Sequence, residues 1–404
     1  MSPRNPVIDD PVIIASAART PIGWFRGVFA DLPATELGSA AIRGALARAG
    51  LDPAAVESVF MGCVLGANLG QNPARQAAHG AGIPFRAATV TINKICGSGM
   101  MAMAFASDAL LAGSAKIVVA GGCESMSNAP YLLPAMRAGQ RLGHGQVLDH
   151  MFRDGLEDAY ETGTLMGHFA EATARQYGIG REEQDAFAAL SLERARNAAE
   201  SGAFAAEIEP VTVRSRARGK AAGETVVMQD ENPSQANPAK IPTLKPAFGK
   251  DGTITAASSS GIADGASALV LTRRRMAEEL GLPVRARLVG WATHGMEPRD
   301  FTIAPVPAMK TLLDRVGWSV GDVDLFEVNE AFAVTAMIAR RELGIPPDRL
   351  NVNGGACALG HPIGATGARL VTTLIHALAS RGGRRGVASA CIGGGEAIAV
   401  AVEL

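Results

Sequence analysis

Asn93-Lys94-Ile95-Cys96-Gly97-Ser98-Gly99-Met100 lies between two runs of different character. Upstream, Ala88-Thr89-Val90-Thr91-Ile92 is β-branched and reads as a strand. Downstream, Met100 to Leu111 is mostly long apolar residues and alanine, suited to a buried helix. The stretch therefore reads strand, turn, helix, with Cys96 at the helix N-terminus. Unpaired N–H groups and the helix dipole there favour an anion. A free thiol titrates near 8.5, and such surroundings lower it to roughly 3.5–7.5. The expectation is a thiolate nucleophile held by an α/β unit.

Outward from this stretch, short apolar runs alternate with helical segments along the chain, an α/β pattern. Lys116-Ile117-Val118-Val119-Ala120 reads as a strand buried on both faces. A repeat is visible. Ala45 to Leu51, followed by Val56 to Phe60, parallels Leu312 to Trp318, followed by Val323 to Glu327. Each copy reads helix, glycine C-cap (Gly50, Gly317), short loop and strand. Val118–Gly122 and Val387–Gly395 form a second candidate pair. Two related α/β halves follow: residues 1–126, continued by 251–280, and residues 281–404. Residues 127–250 read as an inserted loop domain. Pro130, Pro134, Gly139, Gly143 and Gly145 break regular structure, Arg181 to Gly202 is an amphipathic helix, Arg214 to Lys220 is basic, and Gln229 to Pro246 is proline-rich and polar. Such a segment suits an oligomer contact, a lid, or contact with a large, partly charged substrate.

The chain has 404 residues, 48% of them hydrophobic, enough for two or three domains. A formal net charge of −1 gives no electrostatic reason to expect nucleic acid or a membrane surface as partner. No apolar stretch is expected to reach the roughly 18 residues of a spanning helix. Asp9 and Asp10 precede the first apolar run with no signal-peptide pattern, and the chain ends Val402-Glu403-Leu404, so a cytoplasmic protein is expected. Five cysteines, an odd and sparse set, argue against a disulfide framework. No Cys-x-x-Cys or His-x-x-x-His pair supplies a zinc site, so no metal is expected.

Four further turns follow apolar runs, three of them rich in glycine, where backbone N–H groups can reach a ligand. They are Gly121-Gly122-Cys123-Glu124-Ser125-Met126-Ser127; Asn329-Glu330-Ala331-Phe332-Ala333; the run from Asn351 to Gly364 with Gly360-His361-Pro362; and Cys391-Ile392-Gly393-Gly394-Gly395-Glu396. With the cysteine segment, these five motifs in this order resemble the thiolase family of acyl-CoA C-acyltransferases, over essentially the whole chain.

The resemblance implies an α/β thiolase fold, with the two halves stacked as a five-layer αβαβα core. It implies a ping-pong reaction on acyl-CoA and coenzyme A. Two acetyl-CoA would condense to acetoacetyl-CoA, or a 3-ketoacyl-CoA would be cleaved thiolytically. Cys96 would carry the acyl group and His361 would take the thiol proton. Cys391 would be the acid/base at the α-carbon of the second acyl-CoA. The N–H groups of Cys96 and Gly393 would serve the tetrahedral intermediate, and His361 with a water held by Asn329 the enolate. Ser260 is the candidate pantetheine contact; Met166, Phe248 and Phe332 are candidates for the same tunnel. Leu165 stands where many acetoacetyl-CoA thiolases have histidine, which makes the pocket more apolar. No cofactor beyond the coenzyme A thioesters is implied, and family members are commonly homotetramers or dimers.

Each residue has a plainer alternative. Cys63, Cys123 and Cys357 read as core cysteines; Cys391 could be core and His361 a turn residue. Asn329 and Glu330 could cap the following helix, Gly393 to Gly395 could be only a tight turn, and Met126 and Phe332 read as packing residues. Gly97-Ser98-Gly99-Met100-Met101-Ala102 also fits a loose dinucleotide-binding pattern, with Glu124 near the place of a ribose-binding acid. That reading leaves His361, Cys391 and Asn329 without roles. A ketosynthase-like enzyme would need a Cys-His-His set. The remaining rivals are a degradative 3-ketoacyl-CoA thiolase of broader chain length and a non-catalytic CoA-binding homologue.

Overall fold

The computed structural model describes residues 9–214 and 223–404. Most of the basic stretch 214–220 and the first eight residues lie outside them. The main strands are β1 (Val12–Arg19), β2 (Ser58–Gly62), β3 (Ala88–Ile92), β4 (Ile117–Ser125), β5 (Ala263–Arg273), β6 (Ala286–Gly295), β7 (Leu325–Val328), β8 (Arg385–Ile392) and β9 (Glu396–Glu403). The main helices are α1 (Ala34–Ala49), α2 (Pro73–Gly80), α3 (Ser98–Ala112), α4 (Met166–Tyr177), α5 (Arg181–Glu200), α6 (Pro305–Val316), α7 (Ala333–Leu343) and α8 (Ile363–Arg381).

The strand order is β1-β5-β4-β2-β3 in the first half and β6-β9-β8-β7 in the second. A short antiparallel seam of Ile13–Arg287 and Ile14–Ala286 links β1 to β6. Within each half the pairs β4–β2 and β8–β7 are parallel, and β5–β4 and β9–β8 are antiparallel. The repeat read from sequence is this equivalence. Gly50 and Gly317 end α1 and α6 with φ of 64° and 72°, a left-handed cap for which glycine carries no Cβ penalty. The bridge between Phe326 and Leu350 stands in the second half where β3 stands in the first.

Side-chain alternation sorts the halves into layers. On β4, Ile117, Val119 and Cys123 face α1 and α2, whereas Val118 and Ala120 face a core shared with α3 and α8. On β8, Val387 and Cys391 face α6 and α7, whereas Ala388, Ala390 and Ile392 face the same shared core. The order is helices, sheet, the α3–α8 layer, sheet, helices: five layers, as the resemblance implied.

The central layer corrects one expectation. Ile95–Ala112 is 18 residues long with mean hydropathy 1.5, long and apolar enough by composition to cross a bilayer. In the fold α3 is a central helix, with Met100, Met103, Ala106 and Leu110 packed between the two sheets.

This layer also positions the site. The N-terminal turns of α3 and α8 cross closely: a Cβ at Gly99 would lie 2.6 Å from the backbone nitrogen of Ala368, and one at Gly367 2.5 Å from that of Met100. Backbone cannot yield as a side chain does, so both positions require glycine. Cys96 precedes α3 and His361 precedes α8. Each half thus delivers one reactive side chain to the same place.

Candidate active site

Cys96 occupies a single 3-10 turn, Ile95–Gly97, between β3 and α3. Ile95 has φ +47°, the left-handed region, where a β-branched residue is rare and strain of about 1–3 kcal/mol is stored. The hydroxyl of Ser98 accepts from the Lys94 N–H at 2.8 Å and donates to the Ile95 carbonyl at 2.7 Å, fixing the bend from inside. Cys96 is half-buried, packed with Val64, Leu65, Met126, Met151 and Ile363.

His361 Nε2 lies 3.2 Å from Cys96 Sγ. The His361 N–H donates to the Gly261 carbonyl at 2.9 Å, and Pro362 caps α8. Gly360 has φ +103°, and a Cβ there would lie 2.7 Å from that of Ala263, so the histidine loop sits against the start of β5.

Burial pushes the Cys96 thiol up to about 12; the N–H groups of Gly393 and of Cys96 itself pull it down, and the charge of Glu124 adds to the rise. This overturns the expected low thiol pKa. The helix terminus is present, but desolvation wins. His361 is pushed down to about 3 by burial, with the charge of Arg369 adding to the shift. The resting pair is a neutral thiol beside a neutral imidazole.

Cys391 is the next-to-last residue of β8 and is fully buried. Burial raises its pKa, the charge of Cys96 raises it further, and the Thr335 hydroxyl of α7 lowers it. The two cysteine segments pack together: a Cβ at Gly97 would lie 2.5 Å from the Ile392 side chain. Gly393 follows two residues later, and Met166 Sδ sits 3.3 Å from the position a Gly393 Cβ would take. Two consecutive positive-φ glycines, Gly394 (92°) and Gly395 (90°), turn the chain back into β9.

Asn329 follows β7, its N–H donating to the Ser389 carbonyl at 2.9 Å. Its side chain is fully buried, yet neither end of the amide has a hydrogen-bond partner among the described residues. The amide is therefore free to hold a water or a ligand oxygen. Neither Asn329 nor Glu330 caps α7: the cap residue is Phe332, without a side-chain bond. Glu330 instead accepts from the Ser191 hydroxyl at 2.7 Å, the Asn351 amide at 2.8 Å and the Cys357 N–H at 3.1 Å. It ties α5 and the histidine loop to β7.

Glu124 is equally structural. Fully buried, it accepts from the N–H groups of Val64 (3.0 Å), Leu65 (3.1 Å) and Gly364 (2.8 Å). A carboxylate spent on three backbone donors is not available to a ribose, which removes the dinucleotide reading. Cys63, Cys123 and Cys357 are buried.

The candidate coenzyme A contacts neighbour one another. Phe248 stacks edge-on against Phe332 at 5.8 Å, and Phe332 against Phe301 at 6.2 Å. A Cβ at Gly167 would clash with the Phe248 ring, so Phe248 lies on the first turn of α4 beside Met166. Leu165 is the half-buried residue that caps α4. The Ser260 N–H donates to the Ala331 carbonyl at 2.9 Å, joining the serine segment to the Asn329 loop. Sequence reasoning missed Thr366, whose hydroxyl lies 2.6 Å from His361 Nδ1. The available signal was a hydroxyl one helical turn beyond Pro362.

A nucleophile–base pair at the junction of two stacked α/β halves defines an acyl-transferring enzyme built on a covalent cysteine. The chain belongs to the thiolase family: residues 12–275 match the thiolase N-terminal domain and residues 282–404 the thiolase C-terminal domain. It is 46% identical over 397 residues to an acetyl-CoA acetyltransferase of Schizosaccharomyces pombe (98% of this chain, 100% of the relative). It is 48% identical to acetyl-CoA acetyltransferase 1 of Arabidopsis thaliana (98% and 96%). Among solved structures, a thiolase of Ascaris suum in complex with coenzyme A superposes with TM-score 0.91 at 43% identity (97% and 99% coverage). The acetyl-CoA acetyltransferase of Bacillus anthracis gives 0.93 at 41% (98% and 98%).

Proposed function

We propose that this protein is an acetyl-CoA C-acetyltransferase. It condenses two acetyl-CoA to acetoacetyl-CoA, or runs the thiolytic reverse, through an acyl group on Cys96. The observation that carries the reading is the 3.2 Å approach of His361 Nε2 to Cys96 Sγ beside the N–H of Gly393.

In the first half-reaction the Cys96 sulfur attacks the thioester carbonyl as its proton passes to His361 Nε2. A neutral pair suits this order: the proton leaves during attack, so no buried ion pair stands in the resting site. The Cys96 and Gly393 N–H groups stabilise the oxyanion, and the C–S bond to coenzyme A breaks as its sulfur takes the proton from His361. In the second, Cys391 first passes its thiol proton to the again neutral His361 and, as thiolate, removes a proton from the methyl carbon of another acetyl-CoA. His361 and Asn329, the latter through a water, stabilise the enolate oxygen. The carbon then attacks the acyl-cysteine, the C–S bond to Cys96 breaks, and the Cys96 sulfur takes back the proton from His361, restoring the resting thiol. Ser260, Met166, Phe248 and Phe332 hold the pantetheine arm.

A second reading, a 3-ketoacyl-CoA thiolase of broader chain length, is favoured by Leu165, an apolar residue beside Met166. Steady-state rates on 3-ketoacyl-CoA of increasing length, measured in both directions, separate the two. A strong preference for acetoacetyl-CoA supports the first reading, and comparable rates at C6 and beyond support the second. No turnover in either direction from folded protein would make this a non-catalytic coenzyme A-binding homologue. A cytoplasmic homotetramer or dimer working in fatty-acid metabolism completes the proposal, and light scattering tests the assembly.

A further inference from the structure

Thr366 makes two contacts in the first turns of α8. Its hydroxyl lies 2.6 Å from His361 Nδ1 and 3.0 Å from the Pro362 carbonyl oxygen. It is fully buried, so no solvent competes for either contact. A carbonyl oxygen can only accept, so the Thr366 O–H is committed to Pro362. With that donation a Thr366 lone pair faces His361, and the matching tautomer carries the ring proton on Nδ1. Nε2 is then the unprotonated nitrogen, and it faces Cys96 at 3.2 Å.

We propose that Thr366 is a positioning residue that fixes the tautomer and orientation of His361, so that the imidazole meets Cys96 as a proton acceptor. The role rests on the acyl-cysteine reading above. When the Cys96 S–H bond breaks and the Nε2–H bond forms, the imidazolium keeps its Nδ1–H on Thr366. The ring need not turn between accepting that proton and passing it to the departing coenzyme A sulfur. The second contact makes the arrangement self-consistent: the Pro362 carbonyl also accepts the Thr366 N–H at 3.0 Å, so backbone and side chain of one residue are anchored to the cap beside the histidine.

The other titratable groups facing the pair are Cys391 from β8, Glu124 from β4, and Arg369 one turn beyond Thr366 on α8. None is altered by a change at Thr366.

The test compares T366V, T366A and T366S. Read-outs are the rate of acetyl transfer from acetyl-CoA to Cys96, by quenched-flow intact mass, and the pH profile of Cys96 alkylation by iodoacetamide. Valine keeps the branched shape without the hydroxyl. Acylation is expected to fall roughly 10- to 100-fold in T366V and T366A, the scale of one hydrogen bond to a group that becomes charged. The alkylation profile is expected to shift to higher pH, because the imidazolium loses its acceptor. T366S is expected to restore both to within about threefold of wild type. Wild-type acylation and pH profile in either hydroxyl-free variant would overturn the proposal, as would a serine variant as slow as valine. Should T366V fold poorly, T366A and the 15N spectrum of labelled histidine in the wild type, where His361 Nε2 must appear unprotonated, carry the test. Failure of wild-type Cys96 to acylate would instead strike the underlying reading.

Discussion

Replacing Cys391 with alanine separates the two half-reactions. Cys391, next to last in β8, has no exposed surface. Removing one sulfur there leaves a gap of about one methylene, costing about 0.5–1.5 kcal/mol, which a protein of this size tolerates. The proton path for acylation runs from Cys96 to His361 at 3.2 Å and is braced by Thr366 at 2.6 Å; Cys391 is not on it. Acylation by acetyl-CoA should stay within about threefold of wild type. Carbon–carbon bond formation and cleavage each need a proton moved at the α-carbon, and loss of that group should slow both by about 10²–10⁴-fold, or about 2.7–5.5 kcal/mol of barrier. The assay pairs exchange of labelled coenzyme A into acetyl-CoA, which reports acylation alone, with consumption of acetoacetyl-CoA, which needs both steps. A thermal melt confirms that the variant is folded. Equal loss of exchange and thiolysis in folded C391A would refute the assignment.

Four further outcomes are expected. N329A removes the unpaired buried amide and should slow acetoacetyl-CoA turnover by about 10²–10³-fold, the scale of one oxyanion donor, while sparing coenzyme A exchange; stopped-flow comparison checks it. E124Q puts an amide N–H against backbone donors of the Cys63–Leu65 loop and should cost about 2–4 kcal/mol in urea unfolding. G99A drives a methyl into the Ala368 backbone and should destabilise by about 1–3 kcal/mol, with a parallel loss of Cys96 acylation because α3 and α8 separate. His361 is held near 3, against 6.5 when unfolded, so the unfolded chain binds the extra proton between those values and the histidine's contribution to stability is lost as pH falls. Between pH 7.5 and 5, wild type should therefore lose about 2 kcal/mol more than H361Q, read by urea midpoints at each pH.

The fold was legible where local chemistry and tertiary packing agree. Val90 and its neighbours make a strand because β-branched residues suit one, and Gly50 and Gly317 stop helices because a left-handed residue was needed. The layering followed from the repeat and the resemblance. The chemistry at Cys96 was only half legible. Helix position is local and visible, whereas desolvation by Met126, Met151 and Ile363 comes from distant segments, and it reversed the expected pKa. The strained Ile95 was hidden because a β-branched residue gives no sign of a left-handed backbone, and the contact between His361 Nδ1 and Thr366 because a threonine one turn into a helix reads as an ordinary helix residue. Glu124 and Glu330 looked like ligands or caps because their backbone partners are far away in sequence. Ile95–Ala112 looked too short for a spanning helix and is not, because the turn and the helix form one apolar run.

The measurement that bears most directly on this account is the chemical location of the acyl group. The protein is incubated with radiolabelled acetyl-CoA, quenched in acid, digested and mapped by peptide mass. The account predicts one acetyl group, on the peptide bearing Cys96. Label on another residue, or none from a preparation that turns over substrate, would contradict it.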